Sequence, residues 1–387
     1  MFSERVPHSL ETNRITRAVR HAREAGHALI DLTTTNPTTV GIEYPADILQ
    51  PLADPAGKVY RPQPFGLPEA RAAVARDYAR KNVRIDRERI VLTASTSEAY
   101  SLLFKLLCAP AGDGVMIPVP SYPLFEHLTM LDGVERTAYR LDYHGRWAVV
   151  AEDLDRCWSK NTRAVLAVSP NNPTGSVLDS NELAMLSFLC SERRAALILD
   201  EVFADYPLSA VTGEPAATDH PCLTFRLGGL SKSAGLPQVK LGWIAVDGPD
   251  RLVTDAMERL EVIGDAYLSV STPVQVAAPA LIETGEAVRA RILERITANY
   301  ATLRSAAASH PSIEVLTTEA GWSSVVRVPA TRSEEHLVLD LLERDHVLVH
   351  PGFFFDFPHE AFVVISLLPQ PDVFREGVQR LLERADV

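Results

Sequence analysis

The stretch Ala195–Glu201, "AALILDE", is a run of five apolar residues that stops on two carboxylates. A run this short and uniformly apolar, followed by polar residues, has the pattern of a strand buried on both faces, which occurs where a parallel sheet is covered by helices on either side. Reading outward from it, further runs of the same kind are Arg89 to Thr93 ("RIVLT"), Val115 to Val119 ("VMIPV"), Ala164 to Val168 ("AVLAV"), Leu223 to Arg226 ("LTFR") and Gly242 to Val246 ("GWIAV"). Helical stretches such as Glu98 to Leu107 and Ser180 to Ser191 lie between them. Strand and helix in alternation build a mostly parallel sheet flanked by helices, so the fold class is α/β.

After a helical stretch from Glu286 to Ala308 the pattern shifts to shorter units, "IEVLTT", "SSVVRVP", "SEEHLVLDLLERD", "VLVHPG" and "FVVISLL", closed by an amphipathic helix from Asp372 to Arg384. This predicts a second, smaller α/β domain. The expected division is an N-terminal arm over 1–44 that joins the small domain, a large ligand-binding domain over 45–285, and the small domain over 286–387.

The chain has 387 residues, a net charge of -12 and no Lys/Arg block, which disfavours nucleic-acid binding through a concentrated basic surface. No apolar run reaches the roughly 18 residues of a membrane span, and the start "MFSERVPHSLETNR" has no signal-peptide pattern, so a cytoplasmic setting is expected. The four cysteines, Cys108, Cys157, Cys190 and Cys222, are widely spaced with no CxxC pair. They are read as packing residues, and no metal site is expected. The partner is a small molecule.

Open α/β sheets bind ligands beyond the carboxyl ends of their strands. Four such ends are polar in a coordinated way. Thr93-Ala94-Ser95-Thr96-Ser97-Glu98 runs into a helix with Ser95 and Glu98 at capping-box spacing, and helix-start N–H groups with three hydroxyls suit a phosphate. Ser169-Pro170-Asn171-Asn172-Pro173-Thr174-Gly175 is stiffened by two prolines and can hold an amide in one place. Asp200 ends a central strand, where a buried carboxylate needs a cationic or protonated partner. Lys232 stands among small residues in "GGLSKSAGLP", Gly228 to Pro237. Taken singly, each is also what an ordinary cap, surface turn, structural ion pair or solvated lysine looks like. Together they are the parts that bind pyridoxal phosphate as an imine and use it as an electron sink.

These residues resemble the class I/II aminotransferases, the aspartate-aminotransferase-like group of fold-type I pyridoxal-phosphate enzymes. The similarity rests on "YRPQPFGLPEAR", "TSEA", "PSYPLF", "NNPTG", "LDEVFADY", "LSKSAGLPQVKLGW" and "STPVQVAA", which come in that family's order over almost the whole chain. The resemblance implies a large domain with a seven-stranded-type sheet. It implies a homodimer with active sites at the subunit interface, and transfer of an amino group from an amino acid to a 2-oxo acid by a ping-pong route. Lys232 would be the Schiff-base lysine and proton shuttle, and Asp200 would keep the pyridine nitrogen protonated. Asn172 would donate to the phenolic oxygen and Tyr122 would stack on the ring. Ser95, Thr96, Ser97, Ser231 and Lys240 would bind the phosphate, with Tyr60 reaching across from a second subunit.

Three positions depart from the family pattern. Phe203 replaces a tyrosine beside the cofactor, so the lysine–cofactor imine is expected to stay protonated to higher pH. Lys240 replaces an arginine and gives up its bidentate fork. Val364, in "FVVISLLP", replaces the arginine that clamps the substrate carboxylate. Thr35, Asn172, Arg327 and His350 are the candidate substrate contacts, although Arg327 reads more readily as an outward strand residue and His350 as a packed loop residue. The alternative is another pyridoxal-phosphate reaction on an amino acid, such as elimination, cyclisation or oxidation, because fold and cofactor do not fix reaction type. A non-catalytic ligand sensor is disfavoured by the complete Lys232, Asp200 and Asn172 set. A Rossmann dehydrogenase is disfavoured by the lack of GxGxxG before a helix. "HPGFFFDFP" is expected to be domain-interface core in preference to pocket wall.

Overall fold

The computed structural model describes residues 2–7, 10–110, 112–209 and 220–386. Its centre is an eight-stranded sheet with strands in the order Ile90–Thr93, Gly242–Asp247, Thr224–Gly229, Ala196–Asp200, Thr162–Val168, Gly114–Val119, Glu135–Tyr143 and Trp147–Val149. The pairs from Thr224–Gly229 to Glu135–Tyr143 are parallel, while Gly242–Asp247 and Trp147–Val149 run antiparallel to their neighbours. The sheet is thus the expected seven strands plus one antiparallel edge strand. Ala196–Asp200, Thr224–Gly229 and Gly242–Asp247 are buried at every position. That two-sided burial is why they read as unbroken apolar runs.

A four-stranded antiparallel sheet joins Glu314–Val315, Ser323–Arg327, Phe362–Ser366 and His350–Pro351. Ile30–Asp31 from the N-terminal arm pairs in parallel with Val347–Leu348, so the arm is built into the C-terminal part. One helix of 36 residues, Thr272–Ala307, runs through position 285. The division expected there does not coincide with a break, because Pro279 and Gly285 are absorbed inside the helix instead of ending it. Cys108, Cys190 and Cys222 are buried and unbridged. No helix among the described residues is long and apolar enough to cross a membrane.

Candidate active site

Lys232 sits on a one-turn helix, Leu230–Ser233, directly after the strand Thr224–Gly229. Three side chains fix that turn from outside. The Tyr206 hydroxyl donates to the Lys232 carbonyl, the Tyr44 hydroxyl to the Gly235 carbonyl at 2.6 Å, and Arg289 Nη1 to the Ser233 carbonyl at 3.0 Å. Gly235 has φ +63, a backbone angle that glycine adopts at little cost. An added Cβ would also stand 2.9 Å from Ile292 and Val288. The glycines around the lysine therefore serve a tight, anchored turn.

The Lys232 ammonium position lies 4.8 Å from the Trp322 ring centre and 5.5 Å from that of Phe203. Burial in this apolar setting lowers its pKa to about 8, with the Asp200 charge opposing the shift. Asp200 is 7% exposed, and burial raises its carboxyl to about 6. Two hydrogen bonds hold the carboxylate against that rise: the Tyr100 hydroxyl donates to Oδ2 at 2.6 Å and the Val202 N–H to Oδ1 at 3.1 Å. The Tyr100 hydroxyl is in turn pushed well above its ordinary range by burial and by the Asp200 charge.

Both groups face a cavity of about 470 Å³. Ser95, Thr96, Ser97, Ser231 and Lys240 line it together with Asn172, Tyr122 and Phe203, so the structure brings these predicted residues into one space. Ser95 caps the helix Thr96–Leu107, accepting from the Glu98 N–H at 3.1 Å. The Glu98 carboxylate reaches past the cap to the Ala94 N–H at 2.6 Å, so the expected box closes one residue early. The loop carrying Asn172 is mostly buried, with the Asn171 amide donating to the Pro120 carbonyl at 3.2 Å and the Glu319 and Ala320 N–H groups donating to the Gly175 carbonyl. It is an internal brace and not a surface turn.

The donor set fits pyridoxal phosphate. Helix-start N–H groups, hydroxyls and Lys240 in the cavity lining suit an anion. A buried carboxylate suits a protonated ring nitrogen, an amide side chain suits a ring oxygen, and an amine of lowered pKa suits an aldehyde.

Not every candidate arrives. Arg327 is exposed at the end of its strand, opposite Phe362, and is ion-paired with Glu314, so it is not a substrate contact in this structure. Tyr60 is 74% exposed and borders a separate cavity of about 380 Å³ with Arg61 and Tyr267. Thr35, His350 and Val364 do line the main cavity, as does Phe355. The phenylalanine run therefore divides: Phe353 is exposed, while Phe355 is both core and cavity wall, so the two readings of the run hold together at that residue. Tyr100 and Trp322 were not singled out in the sequence. The signal for Tyr100 was its place one helical turn after Thr96 on a helix opening at the strand ends; Trp322 offered none.

An alanine aminotransferase of Mycobacterium tuberculosis is 26% identical over 374 residues, covering 92% of this chain and 85% of that protein. A glutamate-pyruvate aminotransferase of Haemophilus influenzae is 24% identical over 372 residues, covering 92% and 91%. Among solved structures, an aminotransferase from Escherichia coli superposes with a TM-score of 0.87 at 22% identity, covering 99% of this chain and 97% of that one. An alanine aminotransferase from Pyrococcus furiosus gives 0.87 at 23% identity, with 95% of each chain covered. The family model for aminotransferase class I and II matches residues 45–381, and the chain belongs to that pyridoxal-phosphate-dependent family of enzymes.

Proposed function

We propose that the chain moves an amino group between a small amino acid and a 2-oxo acid, with alanine, glutamate and pyruvate as the first substrates to try. The relatives named for those compounds support this choice. The observation that carries the reading is the buried Lys232 amine sharing one cavity with the Tyr100-held Asp200 carboxylate.

When bound, pyridoxal phosphate supplies a conjugated ring that accepts the electron pair left as a bond to the substrate Cα breaks. Lys232 Nζ is the amine that would hold the cofactor's aldehyde carbon, and its lowered pKa also suits it to take and return a proton at Cα. Asp200, kept in place by Tyr100 and the Val202 N–H, would hold the proton on the ring nitrogen. Asn172 would donate to the ring oxygen and Tyr122 would cover a ring face. Ser95, Thr96, Ser97, Ser231 and Lys240 would hold the phosphate. A homodimer in which Tyr60 reaches the neighbouring cavity is supported by that residue's exposure and by its place outside the lining of its own chain's main cavity. The homodimer, the cytoplasmic setting and the division of labour between a cofactor-holding unit and a C-terminal unit belong to the same reading.

The test is the visible spectrum of the protein with pyridoxal phosphate while amino acids are added one at a time. Loss of the band on adding one amino acid, and its return on adding an oxo acid, is the expected result. Release of an oxo acid with the band unchanged would instead indicate elimination or oxidation. A Lys232→Ala variant that still forms the band would overturn the assignment of Lys232.

A further inference from the structure

An amino acid substrate brings a carboxylate into the cavity, and a carboxylate moved out of water needs a cation or several donors to replace its hydration. Among the described residues that line the cavity, the groups able to carry positive charge are Lys232, Lys240 and His350. Lys232 faces the apolar pair Trp322 and Phe203, with Asp200 near it, and Lys240 is assigned, with Ser95 and Ser231, to the phosphate. That leaves His350.

His350 is on the strand His350–Pro351 and pairs directly with Val364 on Phe362–Ser366. The imidazole therefore stands beside the valine on a sheet that forms part of the cavity wall. Two residues along the same strand Ser366 also lines the cavity, and its cross-strand partner Ser323 does too. The Phe354 and Phe355 rings lie 5.8 Å from the imidazole and fix its plane. No described residue hydrogen-bonds its nitrogens, although most of the ring is buried. Its charged neighbour outside the cavity is Asp31, whose Oδ1 is occupied by the Thr33 N–H and hydroxyl at 2.8 and 2.6 Å and whose Oδ2 lies 3.8 Å from Arg23. Asp31, which does not line the cavity, favours a charged imidazole.

We propose that His350 recognises the carboxylate of the amino acid substrate, aided by the Ser323 and Ser366 hydroxyls, as a single imidazolium contact. The inference rests on the amino-transfer reading and names the specificity residue of that same site. Burial lowers the imidazole's pKa and a bound carboxylate opposes that shift, so binding the acid and protonating His350 are linked.

The test compares the best amino acid of the panel with its α-carboxamide in wild type and in His350→Gln, both loaded with cofactor. A charge-assisted hydrogen bond contributes about 1.5–3 kcal/mol, so kcat/KM for the acid should fall about 10- to 100-fold, mostly through KM, with the amide little changed. Val364→Arg placed on His350→Gln should regain preference for the acid. Independently, the His350 imidazole signal in the NMR spectrum of the holoenzyme should titrate at higher pH when L-lactate, an unreactive carboxylate, is added. An unchanged acid-to-amide ratio in His350→Gln overturns the proposal. If that variant loses the cofactor band through misfolding, an imidazole in wild type that ignores L-lactate overturns it instead. If no amino acid converts the wild-type band, the amino-transfer reading has failed, and the L-lactate titration still judges His350.

Discussion

At the scale of single residues, two aromatic side chains tune the site in opposite ways. Tyr100 donates to Asp200, and this bond lowers a carboxyl that burial has raised to about 6. Tyr100→Phe keeps the edge contact with Phe125 at 5.3 Å and removes only the hydroxyl. The Asp200 pKa should then rise further, so the acid limb of the kcat/KM profile should move to higher pH; an unmoved limb would show that the bond does not tune Asp200. Phe203 lies in the cavity wall with its ring edge-on to Trp322 at 5.4 Å and offers no donor. Phe203→Tyr should lower the pH at which the visible band of the cofactor-loaded protein changes, read by spectrophotometric titration. The sequence made Phe203 legible because it departs from a motif. It hid Tyr100, because a tyrosine inside an amphipathic helix reads as core until the strand beneath it is placed.

At the scale of elements, the wall bearing His350, Phe355 and Val364 depends on one carboxylate. Glu334, 2% exposed at the start of the helix Glu334–Arg344, accepts from the Phe353 N–H at 2.9 Å and the Phe362 N–H at 2.8 Å. It thereby ties the Gly352–Phe355 turn to the Phe362–Ser366 strand. Removing an acceptor leaves buried donors unpaired at about 1–3 kcal/mol each. Glu334→Ala should lose roughly 2–4 kcal/mol in urea unfolding, and KM for the amino acid should rise more than kcat falls. Glu334→Gln, which keeps one acceptor oxygen, should recover part of both. The same strand pair shows why Arg327 is the outward strand residue and not the substrate contact. It shares a face with Ser323, which lines the cavity, yet four residues at about 3.3 Å each carry it beyond the cavity's edge. Alternation reports the face of a residue and is silent on its position along the strand.

At the scale of the molecule, the central strands were legible because burial on both faces leaves apolar runs in the sequence. The long helix was legible only from Glu286 onward; its first part was not, since Pro279 and Gly285 look like stops and are overridden by packing. If Tyr60 completes a neighbour's site, a mixture of Lys232→Ala and Tyr60→Ala chains should regain activity that neither homodimer has, because one mixed site keeps both residues. Dissociating and reassociating the two variants together, then assaying turnover, checks this. No regain would place Tyr60 outside the site.

The helix Thr272–Ala307 does not line the cavity but grips the chain beside Lys232 and beside Ser366, which do. Its Arg289 holds the Ser233 carbonyl, and a Cβ on Gly285 would meet Ala234 at 2.4 Å, two residues from Lys232. Fourteen residues further on, Asn299 donates to the Leu367 and Pro369 carbonyls at 2.8 Å, just past Ser366 in the opposite wall. At 1.5 Å per residue these grips lie about 21 Å apart on one rod. The rod sets the cavity's gauge as a caliper does, so a substitution that thickens it at Gly285 would alter the span between the lysine and the wall facing it without touching either.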